Sequence, residues 1–365
     1  MSRLPALLRQ ENGRPTFFSY LSIMPRYSLA EFQALPYPIL DVRAPIEFAQ
    51  GHVPGALNLP LFDDEERARI GTTYKQVSQE RAVHLGLEFF GPKMSAMVKR
   101  AQKLAQGKEV RLHCWRGGMR SGAVMWLLEL AGFKVHLLDK GYKDYRRAVL
   151  ASFDSPRQWR VLGGLTGSGK TDVLHALAAA PHQQPVLDLE GVAHHKGSAF
   201  GAIGQPAQPT QEQFENNLAA AMLALPTDAP VWVEDESRQI GRLTIPPALF
   251  GQLRTASRWV LEVPRAARVA KLAAEYGAED PVELAAAITR IEKRLGGLAT
   301  QQALAAIAAG DFALMVELAL GYYDKTYTYG LAPRPGEPDR TFVPVAGCDA
   351  AENAAALQPV PATAS

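Results

Sequence analysis

Residues 159–180 read WRVLGGLTGSGKTDVLHALAAA. WRVLG (159–163) is a short apolar run that predicts a buried strand, and DVLHALAAA (172–180) carries apolar residues at helical spacing. Between them GLTGSGKT (164–171) fits G-x-x-x-x-G-K-[ST] at every fixed position. Gly164, Gly167 and Gly169 let the backbone at Thr166 and Ser168 wrap a diphosphate, Lys170 supplies a point charge, and the Thr171 hydroxyl suits Mg²⁺. A strand, an anion loop and a helix in that order predict an α/β fold with a parallel sheet.

Working downstream, strand candidates lie at 185–189, 230–234 and 258–263, with Ala/Leu-rich, helix-periodic sequence over 281–323. The strand VWV (231–233) runs into Glu234, Asp235 and Glu236, any of which could support a metal or simply end the strand in solvent. LDLEGVAHHKGSAFG (187–201) places Glu190, His194, His195 and Lys196 among glycines and reads as a mobile substrate loop. Its histidine pair has no third ligand at metal spacing, so no metal is assigned there. Arg254, Arg258, Arg265, Arg268 and Lys271 form a local basic stretch, a candidate phosphate-backbone contact or a solvated helix face.

Upstream the same alternation appears once before. PYPILDV (36–42), EVRLH (109–113) and KVHLLD (134–139) read as strands, with a helical turn at 45–50 and helices after the second and third strands. Asp154-Ser155-Pro156 marks the boundary between two α/β domains, 27–153 and 157–330, flanked by an extension over 1–26 and a Pro/Gly/Ala-rich tail over 331–365 that is expected to be disordered.

The 365-residue length accommodates two domains of about 150 residues. Apolar residues at 47% and charged residues at 21% exclude a mainly disordered or fibrous chain. A net charge of +2 means that any acidic polymer must be bound by a local patch. No stretch approaches the roughly 18 apolar residues of a membrane span, and the N-terminal residues lack the apolar core of a secretory signal. Cys114 and Cys348 are the two cysteines and can build neither a disulfide framework nor a metal cluster. A reducing, cytoplasmic protein without a membrane partner is expected.

HCWRGGMRS (113–121) lies between a predicted strand and helix. Its small residues allow a backbone nest, a helix begins near Ser121, and Arg116 and Arg120 add full charge. All of these favour a thiolate, making Cys114 a candidate nucleophile with Arg116 and Arg120 as its anion-binding partners.

Together with DVRAPIEFAQGHVPGALNLP (41–60), this segment resembles rhodanese-like domains, which implies a persulfide- or perselenide-carrying Cys114. Arg43 and Glu47, four apart, read as a structural pair on one helix face. Five residues separate Cys114 from Arg120, one more than in sulfur-transferring rhodaneses. That spacing also matches rhodanese-fold and tyrosine phosphatases and suits a tetrahedral phosphate-sized group.

The whole chain therefore reads as a rhodanese-like parallel-sheet domain followed by a P-loop NTPase-like α/β domain with a helical C-terminal part. With CWRGGMRSG, GLTGSGKT, LDLEG…GSAFG, VEDESRQIG, DDEERARIGTTYKQ (63–76) and GYKDYR (141–146), it resembles the tRNA 2-selenouridine synthase family over residues 27–325. In the 187–201 loop that family commonly has Asn-His-Arg where this chain has His194-His195-Lys196. The resemblance implies a transferase acting on wobble 2-thiouridine in the tRNAs for Lys, Glu and Gln. Geranyl diphosphate first caps the sulfur, then selenium from selenophosphate, delivered by a selenophosphate-producing enzyme, replaces the S-geranyl group. It implies no tightly bound cofactor; Mg²⁺ is a candidate at the P-loop through Thr171. The alternative is a rhodanese-fold phosphatase or sulfurtransferase fused to a P-loop kinase-like module; a non-catalytic phosphate sensor is a third reading.

Overall fold

A computed structural model describes residues 26–330 and 340–357. The extension over 1–25 and the stretches 331–339 and 358–365 lie outside the described residues. The chain divides into two compact units between Val149 and Leu150.

The first unit is built on β1 (Arg26–Tyr27), β2 (Ile39–Asp41), β3 (Leu57–Asn58), β4 (Glu109–His113) and β5 (Lys134–Leu138). They form a parallel sheet in the order β1-β5-β4-β2-β3. Helices α1 (Leu29–Ala34), α2 (Pro45–Gln50), α3 (Asp64–Gln76), α4 (Gln79–Phe90), α5 (Met94–Ala105), α6 (Met119–Leu130) and α7 (Gly141–Ser152) join the strands. Local sequence dictates several of these starts. Asp63 accepts the Glu66 N–H while Glu66 accepts the Asp63 N–H, closing a capping box on α3. Leu40, Val110, Leu112, Val124, Met125 and Leu137 fill the core with almost no exposure, as a parallel sheet covered on both faces requires.

The second unit places β6 (Trp159–Gly164) at the centre of another parallel sheet. Around it lie β7 (Val186–Leu187), β8 (Val231–Glu234), β11 (Ser257–Glu262) and β12 (Arg340–Pro344), in the order β12-β11-β6-β8-β7. A small antiparallel hairpin, β9 (Gln239–Ile240) and β10 (Leu243–Thr244), lies apart from it. Helices α8 (Lys170–Ala178), α9 (Leu189–Ala193), α10 (Gln211–Leu223) and α11 (Pro247–Thr255) accompany the sheet. A helical part follows: α12 (Arg265–Tyr276), α13 (Pro281–Arg290), α14 (Glu292–Leu295), α15 (Gly297–Ala308) and α16 (Phe312–Gly330). It has its own core of Leu284, Ile288, Ala303, Met315 and Leu320, contiguous with Leu272 of α12.

The tail departs from the expectation of disorder where it is described. Residues 340–344 add β12 in parallel to β11, and α17 (Ala350–Ala356) packs on α8, the helix behind the phosphate-binding loop. The reason is burial: Ala354 and Leu357 are 0% and 2% exposed and join a core with Leu174, Leu177 and Trp232. β12 itself is mostly exposed, held by its backbone pairing with β11 and by Val343 and Val345 packed at the edge of the same core.

Candidate functional site

Two sites lie at the C-terminal ends of central strands, where open parallel sheets receive ligands. In the first unit, β4 delivers Cys114 into the loop and α6 begins at Met119. Cys114 is 3% exposed, with Sγ 3.2 Å from Ser121 Oγ. Arg120 occupies the first turn of α6 and donates to Glu47, Nη1 to Oε2 at 2.6 Å and Nη2 to Oε1 at 3.3 Å. Burial opposes ionisation of Glu47, but the Arg120 bond and charge outweigh it and hold its carboxyl below the ordinary value. Arg116 is exposed at the loop tip.

The expected Arg43–Glu47 pair does not form. Arg43 precedes α2 and turns inward, its Nε donating to Asp41 Oδ1 (3.0 Å) and Oδ2 (2.9 Å) and its Nη2 to Oδ2 (2.6 Å) and to the Gly51 carbonyl (2.7 Å). Its guanidinium lies 3.7 Å from the Tyr142 ring centroid. His113 is fully buried 3.8 Å from Asp41, and burial pushes its pKa down. This buried Asp41–Arg43–His113–Tyr142 cluster underpins the Cys114 loop. The loop also packs directly on the start of α7: Gly141 has φ +62°, and a Cβ there would lie 2.5 Å from Cys114 O and 2.6 Å from Gly117 N. Only glycine fits, which accounts for the first residue of GYKDYR.

In the second unit, the loop from Gly164 to Thr171 borders a cavity of about 640 Å³. Lys170 Nζ donates to Gly164 O at 3.1 Å, and Thr171 Oγ1 donates to Glu190 Oε2 at 2.7 Å. Ser168 is fully buried, its hydroxyl without a hydrogen-bond partner. Register sets Glu234 beside Leu162, just before the loop. Glu234 is fully buried, accepts the Leu189 N–H at 2.9 Å, and burial with Asp188 and Glu190 nearby holds its pKa well above normal. Glu236 lines the cavity; burial, the Glu190 charge and a hydrogen bond with Glu190 push it up to about 8, against the pull of Lys170. Asp235 pairs with Arg258 at 3.5 Å.

Mg²⁺ prefers hard oxygen donors and keeps several waters and phosphate oxygens. Thr171, Glu190 and Glu236 present that chemistry to the cavity, whereas buried Glu234 accepts the Leu189 N–H and does not line it. Among the described residues, no group of three or more His, Cys, Asp or Glu could hold a metal by itself. The donors thus fit a cation shared with a bound diphosphate.

The other expected site residues divide. His195 is buried against Gly201 and Gly241 and does not line the cavity; burial lowers its pKa. The segment 187–201 holds α9 and a run of turns that supplies Glu190, Lys196 and Phe200 to the cavity wall. The basic stretch does not form an exposed face. Arg258 and Arg268 are 5% and 2% exposed. Arg268 donates to Asp324 (2.8 Å) and to Thr166 O (3.1 Å), bracing the loop. Lys271 binds Asp172 and Glu275, Arg254 lines the cavity, and Arg265, the exposed one, reaches the Glu317 carbonyl. Strand and helix positions turn Arg258, Arg268 and Lys271 toward Asp235, Asp324 and Asp172, acids distant in sequence. No local pattern marks Asp324 as a partner, whereas Ser121 directly follows Arg120 and Tyr142 lies within GYKDYR.

Among the described residues, no helix is long and apolar enough to cross a membrane. Residues 27–148 match the family described as "Rhodanese-like domain", and residues 157–338 that described as "tRNA 2-selenouridine synthase AAA domain". A tRNA 2-selenouridine synthase of Marinobacter nauticus is 38% identical over 82% of this chain and 90% of its own length. One from Shewanella sediminis is 36% identical over 85% and 92%, and one from Nitrosomonas europaea 40% identical over 67% and 65%. With a cysteine loop and a phosphate-binding loop placed on their two parallel sheets, the chain belongs to the tRNA 2-selenouridine synthase family.

Proposed function

We propose that this chain is a tRNA-modifying transferase that converts wobble 2-thiouridine to 2-selenouridine, in the tRNAs for Lys, Glu and Gln, by geranylation and then selenation. The observation that carries the reading is the pairing, in one chain, of a buried Cys114 beside Ser121 with a diphosphate loop opening on a cavity.

In the first step the thiocarbonyl sulfur of the tRNA base attacks C1 of geranyl diphosphate. The C–S bond forms, the C–O bond breaks, diphosphate leaves with the electron pair, and the base loses its N3 proton. Lys170 and the loop amides neutralise the leaving diphosphate. Mg²⁺, when held by Thr171, Glu190 and Glu236, would add charge at the same oxygens.

In the second step the Cys114 loop takes selenophosphate. Selenium there is already at the selenide level, so a Cys114 perselenide would need a two-electron oxidant. The balanced route is attack of the Cys114 thiolate on phosphorus: the S–P bond forms and selenide leaves with the P–Se pair. Selenide then attacks C2 of the S-geranyl base and geranylthiolate departs. Water returns S-phosphocysteine to Cys114 and phosphate. Arg116 and Arg120 carry the phosphoryl charge, Arg120 being held in place by Glu47.

The test is incubation with a 2-thiouridine anticodon stem-loop and geranyl diphosphate, then selenophosphate, with mass spectrometry of the nucleosides after each addition. A geranylated base that converts to selenouridine supports the reading. Unchanged RNA beside hydrolysis of a phosphomonoester or ATP overturns it in favour of the phosphatase and kinase-like pair.

A further inference from the structure

The cavity beside the phosphate-binding loop has two chemically different walls. Gly167, Gly169, Lys170 and Thr171 make one; Phe200, Ile203, Leu272, Tyr276 and Tyr323 contribute to the other. The walls touch: Gly167 has φ +81°, and a Cβ there would lie 2.7 Å from Leu272 Cδ1. Phe200 stacks on Tyr276 with ring centroids 5.2 Å apart and faces Tyr323 at 6.5 Å. The Tyr323 hydroxyl already accepts the Ala199 N–H at 3.1 Å. Phe200, Ile203 and Leu272 bring no polar side-chain atom to this wall, and a nucleotide base seated against them would leave polar edges unpaired there, which costs free energy. Apolar surface against apolar chain is what it favours. At about 640 Å³ the space lies within the range of small-molecule pockets, roughly 300–1,000 Å³.

The geometry points to a prenyl subsite: Phe200, Ile203, Leu272, Tyr276 and Tyr323 seat the ten-carbon chain of geranyl diphosphate while the loop grips its diphosphate, and Phe200 limits the chain length accepted. This rests on the geranyl step proposed above. The aromatic rings of Phe200, Tyr276 and Tyr323 also offer π faces to the allylic carbon as positive charge develops on it.

Binding of inorganic pyrophosphate, ADP, and the dimethylallyl, geranyl and farnesyl diphosphates to the full chain tests the assignment by calorimetry. The geranyl compound is expected to bind about 100-fold more tightly than pyrophosphate, because each buried methylene adds to affinity. Ile203→Ser is expected to weaken the geranyl compound about 10-fold or more and leave pyrophosphate unchanged, and Phe200→Leu to shift preference toward farnesyl. Retained pyrophosphate binding shows that a variant is folded. If Phe200→Leu does not fold, the wild-type ligand series and Ile203→Ser decide. Geranyl diphosphate binding no tighter than pyrophosphate, or ADP binding tighter than both, overturns the subsite. Tight, chain-length-selective binding without alkylation of the RNA sinks the geranylation reading instead; alkylation without any response to Ile203 or Phe200 sinks the subsite alone.

Discussion

Arg120 Nη1 lies 2.6 Å from Glu47 Oε2, so the arginine closing the cysteine loop is held by a carboxylate from the first turn of α2. The near-bidentate pair is mostly shielded, and such charge-assisted bonds fix orientation as well as adding stability. Glu47→Ala is expected to lower the selenation rate on pre-geranylated RNA about 10-fold or more, as losing a charged hydrogen bond of about 1.5–3 kcal/mol implies. Geranylation should be untouched. An equal fall in both rates would show that Glu47 serves the whole chain rather than the Cys114 loop.

Lys170 and Cys114 divide the chemistry. Lys170→Ala is expected to cut geranylation about 100-fold or more by removing charge from the leaving diphosphate. Cys114→Ser should abolish selenation and leave geranylation intact. Mass spectrometry of the two nucleosides, with a selenophosphate-treated wild-type chain digested to look for S-phosphocysteine, checks both roles.

Glu236 makes the P-loop unit sensitive to pH. Its pKa is raised from 4.5 to about 8, so between those values the folded chain holds a proton that the unfolded chain has released. Stability therefore falls as pH rises through that window. Above about pH 8 the bared carboxylate also repels a bound diphosphate, so pyrophosphate affinity should decline there. Glu236→Gln is expected to flatten both trends, read by Tm and by calorimetry from about pH 5 to 9. An unchanged slope would place the titration elsewhere.

Gly141 sets a steric limit. Gly141→Ala forces a Cβ to within 2.5 Å of Cys114 O at positive φ, and should cost at least about 2 kcal/mol. The expected readout is a fall in Tm of about 4 °C or more, with selenation lost before geranylation.

A chain ending at residue 339 lacks β12 and α17. It should bind pyrophosphate far more weakly than the full chain, with its transition in thermal unfolding shifted down, because α8 loses the packing of Ala354 and Leu357. Unchanged binding would show that the cradle stands without this support.

Much of this architecture was legible because each central strand is a short apolar run beside an anion loop. EVRLH predicts a strand over 109–113 and is β4 over the same residues, and WRVLG is β6 with one further glycine. The loops followed from glycine spacing, which is local. What was not legible is long-range. Arg268 pairs with Asp324 across 56 positions and Arg120 with Glu47 across 73, distances no helical or strand period reports. The partners of the basic stretch are hidden for the same reason: Arg258 meets Asp235, Arg265 and Arg268 share Asp324, and Lys271 meets Asp172 once β11 and α12 are folded. The order in the tail is hidden by its composition, since β12 and α17 are held by pairing with β11 and by contacts with a core built from distant residues.

The parallel pairing of β12 on β11 has a consequence for biosynthesis. A ribosome delivers β6, β8 and β11 long before Arg340–Pro344, so a nascent chain carries the P-loop sequence while one edge of its sheet is still open. Unpaired strand edges recruit other strands. The interval between translation of Glu262 and Leu357 is thus the vulnerable period of this protein's assembly, and nascent chains stalled at residue 339 should cross-link to chaperones more than those released at full length.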